Sequence, residues 1–397
     1  MSRARRTNVS LRGVPLRVVP VLLALAVALS VAPAEASGGL HGTGASAAGA
    51  GPDRPRRPAY VPKIKHVFVI NIENLGYEET FGDGSKAPYL AEKLRRKGVL
   101  LNYYYATAHN SLPNYLAQIS GQAPNPQTQS DCHTFSRFHR TGRRALGQAV
   151  GTGCVYPRSV RTLPRQMTHA GLRWRGYMQQ MRQPCVHPQV GRPDHTQLAT
   201  PGHNYAVRHN PFMYFRSIIS HHAYCRRHVR PMSDLRVDLR HRRTTRNLSY
   251  ITPDLCRDGH DAVCANGQKG GLRQVDRFLH KWVPRILTSP AFKRNGMLIV
   301  TADESDNAVV DSSACCDELP GPNVAQPGIL GPGGGRIGAL VISRFTRHDT
   351  WSTTPYNHYS LLASLAEIFR LPKIGMAKVR GLPVFGLDVY NNGWWHR

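Results

Sequence analysis

Residues 65–74 of the chain read KHVFVINIEN. The part from residue 67 to residue 72 is mainly apolar and β-branched, without helical spacing, which predicts a strand buried on both faces of a parallel sheet. This strand ends at Glu73 and Asn74. Because open α/β sheets bind their ligands beyond the carboxyl ends of the strands, these two side chains are candidate site residues. Taken alone, Glu73 is explained equally well as a cap of the next segment or as the partner of an arginine.

A second stretch of the same design lies far downstream, where the apolar residues 297–301 are soon followed by Asp303 and Glu304. Parallel strands open at the same edge of a sheet, so three carboxylates and the amide of Asn74 should converge there. Like charges so close together are costly unless a cation joins them. Oxygen ligands suit a hard or borderline divalent ion. We therefore expect Glu73, Asn74, Asp303 and Glu304 to bind a divalent metal ion, and Ca, Mg, Mn and Zn are all compatible with this ligand set.

Ser111 stands between a predicted strand, residues 99–105, and a helix that opens at Leu112. A metal-bound hydroxyl at a helix N-terminus can attack phosphorus, while the helix amides stabilise the developing negative charge. Ser111 is therefore the candidate nucleophile, and Asn114, one turn further on, is a candidate donor to a phosphate oxygen. The alternative is that Ser111 is only the N-cap of this helix, a common role for serine.

Three of the nineteen histidines are candidates for protonating a leaving oxygen or for holding phosphate as imidazolium. His109 lies beside the nucleophile segment, His260 lies in the sequence DGHD, and His358 lies near the start of a predicted helix. Any single histidine is more often an ordinary surface residue.

The rest of the pattern predicts further strands and helices. The strands are expected at residues 172–178, 248–251 and 338–343, and the helices at residues 89–97, 160–170, 271–288 and 354–369. Residues 179–246 have little regular period, so we expect an insertion with short helices there, one of them within residues 212–220.

The N-terminal residues have the composition of an export signal. Residues 1–36 contain five arginines, an apolar run at residues 18–32 and the small-residue pattern Ala34-Glu35-Ala36, which together predict a cleaved signal peptide. An uncleaved membrane anchor is the alternative, although the run is short and contains Pro20. Residues 37–62 are rich in Gly, Ala and Pro and predict a flexible linker. Residues 63–397 should then form one secreted, extracellular domain with no membrane span after processing; the export route stays open.

The chain contains an even number of cysteines, which in an exported protein predicts structural disulfides. Paired Cys-x-x-Cys or Cys/His spacing, which a zinc site would need, is absent. The spacing leaves the connectivity open. The eight residues are Cys132, Cys154, Cys185, Cys225, Cys256, Cys264, Cys315 and Cys316.

The chain carries a formal net charge of +28. Residues 1–36 hold five arginines and one glutamate, a net +4, so +24 remains after their removal. The excess is concentrated in residues 137–246, and a positive field favours anionic partners. Phosphorylated metabolites, nucleic acid, anionic lipid and cell-wall polymer all have the required charge, and an arginine-rich surface that serves solubility alone is the alternative.

Five segments, taken in their order along the chain, resemble the sequence blocks of the bacterial phosphoesterase family. That family contains secreted acid phosphatases and phospholipase C enzymes and lies within the alkaline phosphatase-like superfamily. The segments cover most of the domain, from residue 65 to about residue 372. They are VINIEN at residues 69–74, HNSLPNYLAQISGQ at 109–122, DGHD at 258–261, TADES at 301–305 and YNHYSLL at 356–362.

The resemblance implies a metal held by Glu73, Asn74, Asp303 and Glu304. It also implies attack by Ser111, with Asn114 contacting the phosphate, because the Ser-x-Pro-Asn segment is similar to the nucleophile segment of nucleotide pyrophosphatase-type relatives. Phospholipase members typically have Glu-Asn-Arg-Ser-Phe-Asp at the first block, whereas Leu75-Gly76-Tyr77-Glu78 follows Asn74 here. This departure favours the smaller, phosphatase-like branch.

We therefore expect a three-layer α/β/α sandwich around a mainly parallel sheet, alkaline phosphatase-like, with an insertion in the middle. The expected function is metal-dependent hydrolysis of small anionic phosphomonoesters through a phosphoserine, with Ser111, Asn114, His260 and His358 as catalytic residues. Phospholipase C-like phosphodiester hydrolysis is the first alternative. A basic extracellular protein that binds polyanions without catalysis is the second, and it explains the charge but not the two acid-ended strands.

Overall fold

A computed structural model describes residue 55, residues 57–58, residues 60–317 and residues 320–391. The predicted signal peptide, residues 1–36, and nearly all of the predicted linker, residues 37–62, lie outside the described residues. In the part of the chain that is described, no helix combines the length and the apolar character needed to cross a membrane.

The described strands are β1 (His66–Ile72), β2 (Val99–Leu101), β3 (Tyr104–Tyr105), β4 (His139–Arg140), β5 (Gly151–Thr152), β6 (Trp174–Met178), β7 (Val229–Pro231), β8 (Leu248–Thr252), β9 (Gly296–Ala302), β10 (Ala339–Ser343), β11 (Thr350–Ser352) and β12 (Tyr356–Asn357). The domain is built on an eight-stranded sheet with the order β11-β2-β10-β9-β1-β8-β6-β7, and only β10 runs against the other strands of this sheet. Two small sheets pair β12 with β3 and β4 with β5.

Helices flank the sheet. The α-helices are α1 (Tyr77–Thr80), α2 (Ser111–Ser120), α3 (Pro126–Gln129), α4 (Leu163–His169), α5 (Arg216–Ile219), α6 (His222–His228), α7 (Ser233–Asp238), α8 (Leu272–Leu287), α9 (Pro290–Asn295) and α10 (His358–Phe369). A π-helix covers Tyr89–Leu94, and 3-10 helices cover Arg95–Lys97, Pro211–Tyr214 and Gly375–Lys378.

Helices pack on both faces of the sheet, which confirms the predicted three-layer sandwich. Gln118 of α2 donates to Oδ1 of Asn71 at 2.8 Å, and the Phe292 ring of α9 lies 6.2 Å from the ring of Phe68. Asn71 and Phe68 both belong to β1 and are an odd number of residues apart, so their side chains leave the sheet on opposite faces. Helices α4 and α10 pack with α2, while α8 packs with α9.

The strand predictions at the centre of the sheet are confirmed. All seven residues of β1 and all seven of β9 are buried, as expected for strands covered on both faces. These two strands are parallel neighbours, and the pairing of Ile72 with Ala302 is the last step of their register. The predicted strands at residues 172–178, 248–251 and 338–343 appear as β6, β8 and β10.

Several element boundaries differ from the prediction. The strand expected at residues 99–105 is divided, because β3 leaves the main sheet and pairs with β12. The helix expected at residues 354–369 begins at His358, since the side chain of Asn357 caps it by accepting from the Ser360 amide at 2.9 Å. The expected helix at residues 89–97 is a π-helix followed by a 3-10 turn.

The insertion between β6 and β8 contains the expected short helices, but it also supplies β7, an edge strand that the sequence pattern did not predict. All eight cysteines are paired, in agreement with the disulfide prediction. The bonds join Cys132 to Cys154, Cys185 to Cys225, Cys256 to Cys264 and Cys315 to Cys316.

A glycine-rich loop at residues 331–335 supports the loop that precedes α2. The amide of Gly334 donates to the carbonyl of Ala106 at 3.1 Å, and its carbonyl accepts from the amide of Ser305 at 2.9 Å. A Cβ atom at residue 334 would lie only 2.0 Å from the carbonyl oxygen of Ala108. The absence of a side chain at Gly334 therefore lets two loops at the carboxyl edge of the sheet lie against each other.

We predict that Gly334→Ala lowers the free energy of unfolding by about 1–3 kcal/mol, because overpacking forces the backbone of the two loops apart. The measurement is urea unfolding followed by circular dichroism. Gly386→Ala is the control, because its Cβ would meet nothing closer than a side-chain oxygen of Asp388, at 3.3 Å, and it should cost no more than about 1 kcal/mol. Equal stability of the Gly334 variant and the wild type would contradict the role given to this loop.

Candidate active site

The ends of β1 and β9 bring the predicted acidic residues together. Glu73 and Asp303 each follow the last residue of a strand, and the two strands are paired up to that point. Oδ1 of Asp303 accepts hydrogen bonds from the amides of Asn74, at 3.1 Å, and Glu304, at 2.7 Å. The convergence that the sequence predicted for Glu73, Asn74, Asp303 and Glu304 is therefore present at one edge of the sheet.

Ser111 lies within this acidic cluster. Its hydroxyl donates to Oε2 of Glu73 at 2.9 Å, and Oε1 of Glu304 is 3.5 Å away. The N-cap of α2 is Asn110, so Ser111 is the first residue inside the helix and its hydroxyl is not used as a cap. The position of the Ser111 hydroxyl is thus determined by a carboxylate acceptor rather than by helix capping.

Asn114 holds the loop that leads into Ser111. Its Oδ1 accepts from the amides of Thr107 and Ala108, both at 3.0 Å. Its Nδ2 donates to the carbonyls of Ala108, at 2.7 Å, and Asn110, at 3.0 Å. The amide group is therefore engaged with the loop backbone, and the predicted contact between Asn114 and phosphate stays a prediction.

His109 pairs with Glu304 at the side of the cluster. Its Nδ1 contacts Oε2 of Glu304, and its Nε2 donates to the carbonyl of Asp311 at 2.9 Å. Burial lowers the pKa of His109, while burial and the neighbouring charges of Asp303 and Asp131 raise the pKa of Glu304 well above its ordinary value. Both shifts favour a neutral pair in which a protonated Glu304 donates to Nδ1.

The insertion contributes two buried side chains that the sequence pattern did not identify. Nδ1 of His209 lies 3.2 Å from Oδ2 of Asp258, its Nε2 lies 3.3 Å from Oε2 of Glu73, and its ring stacks on Tyr115. Burial lowers the pKa of His209 well below its ordinary value. Arg208 is also buried, and it donates to the carbonyl of Gln197 at 2.7 Å. Neither residue stands in a motif or beside a predicted element, so no local signal in the sequence marks them.

His260 lies at the boundary between the cluster and solvent. Its Nε2 accepts from Arg208 at 2.9 Å, and its Nδ1 donates to Asp261 at 2.8 Å. The loop that carries His260 is held by Asp258, whose Oδ1 accepts from the His260 amide at 2.9 Å. The ring is partly exposed, so it can meet a ligand that enters from solvent.

His358 is placed differently from His260. It is fully buried, and its Nε2 donates to the main-chain carbonyl of Asp303 at 2.6 Å. Its Nδ1 accepts from the Tyr104 hydroxyl at 3.1 Å and lies 3.3 Å from Nε2 of Gln118. Burial lowers its pKa to about 4. The structure therefore places a neutral His358 beneath the turn that carries Asp303, and its predicted part in proton transfer stays a prediction.

Comparison with known proteins identifies the family. The model of the Phosphoesterase family matches residues 83–372. The chain belongs to the Phosphoesterase family.

Named relatives of this Phosphoesterase family member include acid phosphatases and a phosphatidylinositol phosphatase. The chain is 25% identical over 318 residues to "Phosphate-repressible acid phosphatase" of Penicillium chrysogenum, covering 79% of this chain and 62% of that protein. It is 23% identical over 338 residues to "Phosphatidylinositol-3-phosphatase" of Mycobacterium tuberculosis, covering 84% and 86%. The chain spans 55–62% of the length of four fungal relatives, three of them named as acid phosphatases and one as a probable acid phosphatase.

Solved structures also resemble the Phosphoesterase family member. A protein of the alkaline phosphatase superfamily from Vibrio parahaemolyticus has a TM-score of 0.47 and 12% identity, covering 84% of this chain and 76% of that one.

Burial and mutual repulsion disfavour the ionised form of the carboxyl groups in this Phosphoesterase family site. Burial raises the pKa values of Glu73 and Asp258 well above their ordinary ranges, and the neighbouring acids raise them further. Oε1 of Glu73, Oδ2 of Asp303 and Oδ1 of Asn74 are buried and accept from no amide, hydroxyl or imidazole group, although the Glu73 and Asp303 carboxyl groups are close enough to share a proton. Unpaired buried oxygens of this kind are costly unless a cation compensates them.

The donor set therefore fits a divalent cation in its chemistry, because hard oxygen ligands that accept from no amide, hydroxyl or imidazole group lie at the point where the acids meet. Among the described residues, no three acidic, histidine or cysteine side chains already stand in an arrangement that would hold an ion.

Asp131 connects the acidic cluster to α2 and should make stability depend on pH. Its Oδ1 accepts from the amide of Leu112 at 2.8 Å, and its Oδ2 lies 3.7 Å from Nε of Arg208. Burial raises the pKa of Asp131 from 3.8 to about 6. The folded state therefore prefers the protonated acid, and this stabilisation is present below pH 4 and is lost as the pH rises through about 6.

We predict that, in a chelator, the free energy of unfolding falls by less in Asp131→Asn than in the wild type as the pH rises from 4 to 6.5. A shift of two pKa units sets an upper limit of about 3 kcal/mol for the difference, and the asparagine retains an acceptor for Leu112. Urea unfolding at several pH values provides the measurement. The control is Asp349→Asn at the surface, which should follow the wild type; identical slopes in all three proteins would refute the assignment.

Proposed function

We propose that the chain is an exported, metal-dependent phosphoesterase that hydrolyses phosphomonoesters through a phosphoserine at Ser111. The observation that carries the proposal is the hydrogen bond from the Ser111 hydroxyl to Oε2 of Glu73, at 2.9 Å, within a buried acidic cluster at the N-terminus of α2. Membership of the Phosphoesterase family and the names of the acid phosphatase relatives support hydrolysis of phosphate esters. The four disulfides support export to an oxidising compartment.

The chain's own residues supply a nucleophile and a base. Glu73 accepts the hydrogen bond of the Ser111 hydroxyl at 2.9 Å, so in its ionised form, which a bound cation would favour, it can take the hydroxyl proton. The Oγ–P bond forms as the ester P–O bond breaks. The positive end of the α2 dipole and the buried guanidinium of Arg208 stabilise the negative charge that develops on phosphate, whereas the Leu112 amide is already bound to Asp131 and Pro113 has no N–H. A water molecule then attacks phosphorus and breaks the Oγ–P bond, which releases inorganic phosphate. Glu73 returns its proton to the Ser111 oxygen, and His260 takes up the proton that the water loses.

The leaving alcohol needs a proton, and we propose that His260 supplies it from Nε2 as imidazolium, once the Arg208 guanidinium has moved from Nε2 to the phosphate. His260 is partly exposed, it lies beside Arg208, and Asp261 orients its ring through Nδ1. We propose that His358 instead positions the Asp303 turn, because it is buried and donates to the Asp303 carbonyl. By the same reasoning, Asn114 positions the loop before Ser111.

We propose that Glu73, Asn74, Asp303 and Glu304 hold a divalent ion, which when bound supplies positive charge for the phosphate oxygens and the serine oxygen. Their free oxygens support this ligand set, since Glu73 can offer Oε1 while Oε2 serves Ser111. Monoesters are the proposed substrates because the residues after Asn74 depart from the phospholipase pattern. A polyanion-binding protein without catalysis has no use for a serine held by a buried glutamate.

We predict that Ser111→Ala lowers kcat for p-nitrophenyl phosphate by about a thousandfold or more, as loss of a covalent nucleophile does, while the protein stays folded. Ser120→Ala is the matched control, because Ser120 is a buried serine at the other end of α2 whose hydroxyl donates to the Leu116 carbonyl. It should cost about 1 kcal/mol of stability and leave kcat within a few-fold. Bis(p-nitrophenyl) phosphate, assayed alongside, should be the poorer substrate.

Rapid quenching with a phosphorus-labelled monoester should trap the label on the peptide that contains Ser111. Label on a histidine or on another hydroxyl residue would assign the nucleophile elsewhere. Retention of most of the activity by Ser111→Ala would exclude the covalent mechanism altogether.

We predict that removal of divalent ions abolishes hydrolysis and lowers thermal stability, and that one of Ca, Mg, Mn or Zn restores both. Occupancy at a hundredfold excess over Kd corresponds to about 2.7 kcal/mol of added stability. The gain in Tm, measured without substrate, should disappear in Asp303→Asn and persist in Glu92→Gln, which removes an exposed acid. Full activity in excess chelator, with no ion changing Tm, would remove the metal from the mechanism.

A further inference from the structure

A cleft of about 720 Å³ begins at the candidate active site and extends away from it along the start of α8. Asn74 and His260 line its inner end, and Gly270, Gly271 and Leu272 line the side formed by the helix. His260 is the proposed donor to the leaving oxygen. The part of a substrate that follows that oxygen would therefore enter this cleft.

Four basic side chains line the cleft from three separate elements. Lys86 comes from the loop before the π-helix, Lys269 from the turn before α8, and Arg273 and Arg277 from neighbouring turns of α8. None of the four belongs to an ion pair found among the described residues. Arginine and lysine without a carboxylate partner are the groups that bind phosphate in proteins.

Three acidic residues also line the cleft, but each already accepts a hydrogen bond. Oε2 of Glu79 accepts from the amide of Gly76 at 2.9 Å, and Oδ1 of Asp276 accepts from the amide of Leu90 at 3.0 Å. Oδ2 of Asp306 accepts from the side chain of Asn307 at 2.9 Å. A hydrogen bond from a neutral donor leaves each carboxylate charged, so the cleft has four positive and three negative side chains, and the positive end of the 16-residue helix α8 adds to the positive side.

We propose that this cleft is the leaving-group subsite and that it selects phosphomonoesters whose alcohol carries a second phosphate group. The inference rests on the proposed function of Ser111. The second phosphate would lie against Arg273 and Arg277, which are one turn apart on the same side of α8, while Lys86 and Lys269 add positive charge from the other walls. The first phosphate would meanwhile occupy the position beside Ser111.

The experiment compares kcat/KM for fructose 1,6-bisphosphate, fructose 6-phosphate and p-nitrophenyl phosphate in the same buffer. The wild type should prefer the bisphosphate to the monophosphate by about tenfold or more, because the exposed Arg273 and Arg277 add two charge contacts to the second phosphate. The preference should decline as salt is added, because exposed charges are screened. A bisphosphate offers two groups that can be hydrolysed, which by itself would raise the rate over that of the monophosphate only twofold.

The double variant Arg273→Gln/Arg277→Gln should lower the ratio of the two sugar phosphate rates by about tenfold. This ratio does not depend on how much of the variant is folded, because the amount of active enzyme cancels. Arg285→Gln, on the same helix but outside the cleft, removes a similar charge and should leave the ratio unchanged.

Two results would overturn the inference alone: equal rates for the two sugar phosphates in a wild type that hydrolyses p-nitrophenyl phosphate, or a ratio that the double variant does not change. Absence of turnover of all three compounds would overturn the proposed function and this inference with it.

Discussion

The parallel pairing of β1 with β9 places two carboxylates side by side in the interior of the protein, and the rest of the site compensates for that arrangement. Glu73 and Asp303 have no freedom to move apart, because each follows directly from a buried strand held by backbone hydrogen bonds. Burial without compensation would cost several kcal/mol per charge. The amides of Asn74 and Glu304 and the buried Arg208 compensate part of this charge, and the divalent cation that we propose would compensate the rest.

Several neighbouring groups are positioned by the same constraint. Glu304 and His109 form a pair that is most stable when it is neutral, and His358 supports the Asp303 turn from below through a main-chain hydrogen bond. The glycine-rich loop brings Ala106 and Ser305 together without a side chain between them. These contacts belong to residues that do not react, yet they determine the distance between the Ser111 hydroxyl and its carboxylate acceptor.

The positive charge of the protein acts at two scales. A net charge of +28 produces a long-range field that favours the approach of any anion. Selectivity between anions needs cations at defined positions, and Arg208 within the cluster and the four unpaired basic side chains of the cleft meet that requirement. The general field and the local cations are therefore separate properties. Neutralising one arginine in the cleft leaves the general field nearly unchanged.

The sequence by itself determined the two central strands, their acidic ends, the helix that carries Ser111 and the presence of disulfides. All of these depend on local patterns, since an apolar β-branched run or a proline near a helix start acts within a few residues of itself. The tertiary structure alone decided the partners of Ser111, the pairing of the cysteines and the edge strand β7. It also brought Arg208 and His209 from an insertion without regular period into contact with Asp131, Asp258 and Glu73. Those contacts join residues far apart in the chain, and whether a histidine is buried or exposed depends on how the whole chain packs around it, which no local pattern records.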